Sequence, residues 1–461
     1  MVAPSAHADH EPAPIPPRSV SGRQPGGGPE GPPEHGGGEA ASRAQEGPGA
    51  APLGTTPRIT RPLMAAEKVI AARQAARAAK FERRQTSVEW LIGLARIEAG
   101  KAYVAAPGTT SKSSDWARPS RVATCRMPVE DAVGVHGTGQ TGAHYSGVER
   151  CGSIWSCPVC AAVIRRGRSE EVQEAVTRHE ADGGWLLFVT LTLRHKRGDP
   201  LALTLNASLE AFRALTAGRR WKAARVEYGI VGQIRASEVT YGQNGWHPHI
   251  HALFFVDQLL DDDALARFEG WLHERWVNGV QQAGARLPSK LRAVDVRRSS
   301  GDGTVVAQYL SKLQDGAGAA TKSIGAEMVR FDFKSGRGGS LTPFELLDSE
   351  HSQDADDDRA RRALWWEYFK ATKGRRAITW SRGLRELLDM TGSQFDKTDE
   401  EILADTVAQE VRYEVPAADY RRVMNQPAIL ALILSLVEDD RVLESEQLAR
   451  YGIAADAAAG P

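Results

Sequence analysis

The chain has 461 residues, 41% of them hydrophobic, and its 58 Lys and Arg balance 58 Asp and Glu to a formal charge of zero. This length allows two or three domains. The longest apolar run, Ala428–Val437, falls short of the ~18 residues that a spanning helix needs, which excludes a helical membrane protein. The balanced charge decides nothing about nucleic acid, because patches and not totals bind phosphate. Base gathers at Arg165–Arg168, Arg219–Lys222, Arg297–Arg298 and Lys373–Arg385, and acid at Asp348–Asp358 and Asp396–Glu401.

Residues 1–60 are rich in Pro, Gly, Ala and Ser and cannot bury enough apolar surface to offset their ordering entropy, so they are expected to be disordered. They show no basic start, apolar block and small-residue cleavage site, and a cytoplasmic protein is expected. Residues 61–120 form a helical lead-in, with Met64–Arg84 in helical proportion.

Residues 121–180 hold all four cysteines, Cys125, Cys151, Cys157 and Cys160. A cytoplasmic chain with its thiols this close is not expected to hold them as disulfides. Cys157-Pro-Val-Cys160 has zinc-knuckle spacing, and four thiolates would close a tetrahedral structural Zn²⁺ site. Isolated core thiols are the plainer alternative. His136 and His144 fall in the same interval and compete with Cys125 for the fourth place.

Residues 181–345 carry a readable succession. Trp185–Leu193 is β-branched and aromatic, a strand; Leu201, Leu205, Leu209 and Phe212 recur at helical spacing. Ile230–Thr240 and His247–Val256 read as strands of a hairpin whose turn contains Asn244-Gly245. Asp261–Asp263 start a helix presenting Leu265, Phe268, Leu272 and Trp276. Leu291–Arg298 alternates as a strand and Val305–Leu313 forms a short helix. The order βαββαβα suits an α+β fold: an antiparallel sheet in split βαβ (ferredoxin- or RRM-like) arrangement, flanked by helices. An acidic linker at 346–358 precedes a C-terminal helical region, 359–440, and a tail, 441–461. The block Trp365–Arg385 mixes Trp365, Trp366 and Tyr368 with Lys373, Arg375, Arg376, Arg382 and Arg385, which suits stacking and phosphate contact with single-stranded DNA as well as it suits a solvated amphipathic helix.

The chemistry concentrates in His247-Pro-His249-Ile-His251. Successive strand residues point to opposite faces, so the three imidazoles share one face. If Thr240 pairs with His247, Glu238 lies opposite His249 on that face. Two nitrogens and a carboxylate suit Mn²⁺ or Mg²⁺, with water and phosphate oxygen completing the shell. The same string also fits the histidine-triad nucleotide hydrolases and transferases, in which a histidine is the nucleophile and no metal is needed.

Three blocks in order separate these readings: Phe188-Val-Thr-Leu-Thr192, Glu238 through His251, and Val306-Ala-Gln-Tyr309-Leu-Ser-Lys312. Together they resemble the signature of HUH endonucleases, and most closely the rolling-circle plasmid replication initiators (Rep proteins) of Gram-positive bacteria. Cys151–Cys160 and Trp380-Ser-Arg-Gly-Leu384 are also similar to members of that group. The resemblance implies that His249 and His251 ligate the catalytic ion with Glu238 as third ligand. It implies that Tyr309 is the nucleophile, forming a 5′-phosphotyrosine and freeing a 3′ hydroxyl, and that Lys312, a turn further on, positions substrate or metal. Single-stranded or melted origin DNA, a host helicase and a DNA polymerase are the implied partners. Some relatives carry Glu four residues before the tyrosine; here that place is Val305, with Asp302 as a weak substitute. A non-catalytic, zinc-containing DNA-binding regulator is the remaining alternative.

Overall fold

The structure is a computed structural model that describes residues 60–105, 120–137, 142–298, 340–351, 354–392, 395–405, 411–438, 451–453 and 456–457. The first helix runs over Thr60–Ala105, well past the end read from composition, because no proline interrupts residues 63–106. It buries Phe81, Trp90, Leu91 and Ala95.

The described strands are β1 (Ala132–His136), β2 (His144–Tyr145), β3 (Trp185–Thr192), β4 (Ile230–Gly242), β5 (Gly245–Val256), β6 (Val294–Arg298), β7 (Ile378–Trp380), β8 (Val411–Pro416) and β9 (Asp456–Ala457). They make two antiparallel sheets, ordered β6-β3-β5-β4-β7 and β2-β1-β8-β9. In the larger one β5 lies between β3 and β4, and β3 between β5 and β6, so the helical connections from β3 to β4 and from β5 to β6 each join parallel strands across an intervening one. The protein is α+β, as its element order implies. Strand β6 starts at Val294 and not Leu291, since Lys290–Ala293 closes into a helical turn.

The two faces of the larger sheet are covered differently. Leu187, Val189 and Leu191 of β3, with Ile250, Ala252, Phe254 and Val256 of β5, bury against the helices Leu201–Leu215 and Asp262–Gln282. On the reverse face Leu186, Ile234, Ala236, Leu253 and Phe255 meet Val172, Ala175 and Val176 of the helix Pro158–Ala181. Cover on both sides explains why Ala252–Val256 is an unbroken apolar run.

Asp261 caps the helix Asp262–Gln282 by accepting from the Ala264 N–H at 2.7 Å. Phe268, Leu272 and Trp276, four residues apart, are fully buried. The Trp276 indole also donates to the Thr192 carbonyl at 2.6 Å. Trp276→Ala is therefore expected to cost about 3–5 kcal/mol, read as a fall in the urea midpoint at unchanged slope.

The C-terminal part differs from a separate helical region behind a linker. Its strand β7 is the fifth strand of the larger sheet, and β8 pairs with β1. The acids near 346–358 have local tasks: Asp348 pairs with Arg83 at 2.6 Å, and Asp354 caps the helix Ala355–Thr372, whose first turn carries Asp356, Asp357 and Asp358. Leu346 and Leu347, just before Asp348, are core residues. No helix among the described residues is long and apolar enough to cross a membrane.

Candidate active site

The β4–β5 hairpin sets the geometry. Gly242 pairs with Gly245, whose φ of +81° is the left-handed conformation glycine adopts freely, and Gln243 and Asn244 form the tip. From there Thr240 faces His247, Glu238 faces His249 and Ala236 faces His251. The register is the one in which the acid meets the histidines. Alternation then places Glu238, His249 and His251 on the face covered at its other end by the helix Pro158–Ala181.

The three side chains converge. Glu238 Oε2 lies 3.0 Å from His249 Nε2 and 2.9 Å from His251 Nε2, and one donor atom from each residue falls within 4.8 Å of the others. Neighbouring ligands of an octahedral ion at about 2.1 Å lie about 3.0 Å apart, so the set fits Mn²⁺ or Mg²⁺. Glu238 is 5% exposed, so water cannot solvate its charge alone. Burial pushes its carboxyl up, but the two facing imidazoles outweigh that and hold it well below the usual carboxylate range.

Further contacts orient the rings. His249 Nδ1 donates to the His247 carbonyl at 3.4 Å, and His251 Nδ1 is 3.2 Å from the Thr190 hydroxyl. In each ring the contact at Nδ1 turns Nε2 toward Glu238. Thr190 belongs to β3 and pairs with His251, while Thr192 pairs with His249. Thr190→Val is expected to weaken Mn²⁺ binding about 10–100-fold with little loss of stability, measurable by calorimetric titration.

His247 does not join the cluster. Its Nδ1 donates to His195 Nε2 at 2.7 Å, and His195 Nδ1 donates in turn to the Asn244 carbonyl at 2.9 Å. Its ring stacks on His249 at 5.1 Å. Burial, with His249 and His195 nearby, pulls the His247 pKa down to about 3, so the ring is neutral at ordinary pH. Nothing in the sequence singled out His195, a lone histidine after a strand, nor did any signal give Thr190 its particular partner.

All four cysteine sulfurs come together: Cys125 lies 3.6 Å from Cys157 and 3.6 Å from Cys160, and Cys151 lies 3.7 Å from Cys160. His136 and His144, the competing fourth ligands, instead stack on each other at 5.0 Å, and His136 bonds Ser146. The stacking platform read into Trp365–Arg385 is corrected. Trp365 and Tyr368 are 0% and 1% exposed and Trp366 is buried, so they are core and cannot stack bases. Arg385 pairs with Glu171 and Asp396 and lies over Trp380, while Arg376 and Arg382 are exposed. Tyr309, Lys312, Val305 and Asp302 lie outside the described residues.

An α+β protein with a largely buried Glu-His-His cluster on an antiparallel sheet is one built around a candidate metal centre. Residues 147–425 match the family model described as replication protein, and the chain belongs to that family. Its resemblance to the Rep proteins of Gram-positive bacteria is thereby borne out. It is 34% identical to "Protein rep" of Streptomyces lividans over 330 residues, spanning 59% of this chain and 71% of that one. Shorter matches join it to a "Neomycin resistance protein" of Streptomyces cyanogenus (36% over 135 residues; 24% of this chain, 31% of that one) and to "Protein rep" of Streptococcus pneumoniae serotype 2 (32% over 106 residues; 22% and 31%). No solved structure matches.

Proposed function

We propose that the protein is a rolling-circle plasmid replication initiator that nicks and rejoins one strand of its origin through Tyr309. The observation that carries this reading is the convergence of Glu238, His249 and His251 on one point, within a chain of the replication-protein family. A divalent ion held there, Mn²⁺ or Mg²⁺, would polarise the scissile phosphate and offset charge developing on it.

A phenol, with an ordinary pKa of about 10, is a poor nucleophile at neutral pH and needs its substrate activated and aligned. The Tyr309 oxygen forms a bond to phosphorus as the bond to the 3′ oxygen breaks. The phenolic proton leaves, and the 3′ oxygen takes up a proton to become a free hydroxyl. Because one phosphoester replaces another, the reverse attack by a 3′ hydroxyl rejoins the strand without ATP. Lys312 positions the phosphate. Origin DNA in single-stranded or melted form, a host helicase and a polymerase are the partners this reading requires, in the cytoplasm.

The test is cleavage of labelled single-stranded oligonucleotides tiled across the plasmid's own replication origin, with and without Mn²⁺ or Mg²⁺. Metal-dependent cleavage at one site supports the reading. DNA binding with no cleavage of any oligonucleotide under either ion contradicts it and leaves a DNA-binding regulator.

A further inference from the structure

We propose that Cys125, Cys151, Cys157 and Cys160 hold one zinc ion as a tetrathiolate, that Arg126 and Arg150 balance its charge, and that it fixes the start of the helix covering the Glu238–His249–His251 face. This goes beyond the nicking reading and does not depend on it.

The spacing suits an ion and not a disulfide. Sulfurs about 2.3 Å from a tetrahedral Zn²⁺ lie about 3.8 Å apart, close to the 3.6–3.7 Å separations here. A disulfide would bring two of them to about 2.05 Å. All four residues are buried, so metal and thiolates would be shielded from water. Cys157 occupies the position before the first turn of the helix Pro158–Ala181 and makes no side-chain cap bond, which leaves its sulfur for a ligand where the helix end favours negative charge.

The surroundings are the second observation. Four thiolates on Zn²⁺ carry a formal charge of roughly −2; four thiols carry none. Next to Cys125 the chain buries Arg126, 8% exposed, with its backbone at φ +72°. A non-glycine residue is held there only when its surroundings over-determine it. The Arg126 guanidinium lies over the rings of Tyr145 at 4.7 Å and Phe81 at 5.1 Å and donates to the Tyr420 hydroxyl at 2.8 Å. Cys125, Tyr145 and Tyr420 lie in its electrostatic surroundings. Half-buried Arg150 donates to the Leu403 and Tyr145 carbonyls and lies in the field of Cys160 and Cys125. Two guanidiniums in the field of these cysteines suit a tetrathiolate better than four neutral thiols.

The consequence runs along the chain. Trp155, between the second and third cysteines, donates from its indole to the Arg375 carbonyl at 2.8 Å and packs edge-on against Tyr368. Tyr368 stacks on Trp246, the residue before His247. Cys160 lies in the first turn of the helix whose Val172, Ala175 and Val176 cover the sheet face that carries Glu238, His249 and His251. Zinc thus supports the hairpin from two sides.

The full chain carrying E238A, H249A and H251A, purified without chelator, should retain about one zinc by elemental analysis, and adding C157S and C160S should remove it. If the cysteine variant does not fold, the unsubstituted protein loaded with Co²⁺ replaces it, and intense sulfur-to-cobalt charge-transfer and red d–d absorption are expected. Hydrogen exchange at residues 158–168 should rise once a mercurial has extracted the metal. Less than about 0.2 zinc per chain together with no cobalt–thiolate absorption overturns the metal site, and unchanged exchange after extraction overturns its supporting role.

Discussion

Glu238→Ala is expected to cut metal-dependent nicking about a thousandfold, the equivalent of about 4 kcal/mol of lost transition-state stabilisation. Alanine removes the one carboxylate among the three donors, leaving two neutral nitrogens that hold a hard cation poorly. It also strips His249 and His251 of the oxygen they share at 3.0 and 2.9 Å, so both rings lose an anchor. Glu238→Gln, which keeps the shape without the charge, should lie between the two proteins. High Mn²⁺ should recover part of its activity and none of alanine's geometry. Nicking rates measured against Mn²⁺ concentration separate weaker ion binding from a lower limiting rate. Wild-type activity in Glu238→Ala would show that the carboxylate has no part in the chemistry.

Tyr309→Phe is expected to abolish the covalent protein–DNA species outright while leaving Mn²⁺ binding and DNA binding unchanged. Phenylalanine lacks the attacking oxygen and nothing else, so no residual adduct should remain at any metal concentration. Denaturing gels of reactions with end-labelled oligonucleotide read this directly. An adduct of normal yield in Tyr309→Phe would mean that another side chain is the nucleophile.

The site was legible because its parts are local. A two-residue tip fixes the hairpin register, so Glu238 opposite His249 follows from counting back from Gly245. Cys157 and Cys160 announce themselves by spacing, and proximity in sequence brought in Cys125 and Cys151. What stayed hidden depends on distant pairing. Strand β7 has three residues, too few for alternation to show, and β8 finds β1 across more than half the chain. Trp365 and Tyr368 were open to misreading because composition does not say which side of an aromatic, basic segment faces inward; here the rings fill the core beside the cysteines. Thr190 and His195 act through partners that only folding supplies.

The most direct measurement is mass spectrometry of the adduct formed with an origin oligonucleotide in Mn²⁺, digested to peptides. The expected result is a peptide bearing the 5′-phosphorylated fragment on Tyr309, formed only when the ion is present and absent from His249→Ala. Metal-independent nucleotide hydrolysis that survives Tyr309→Phe but not His249→Ala, with no peptide adduct, would contradict the account and assign the HPHIH strand to histidine-triad chemistry instead.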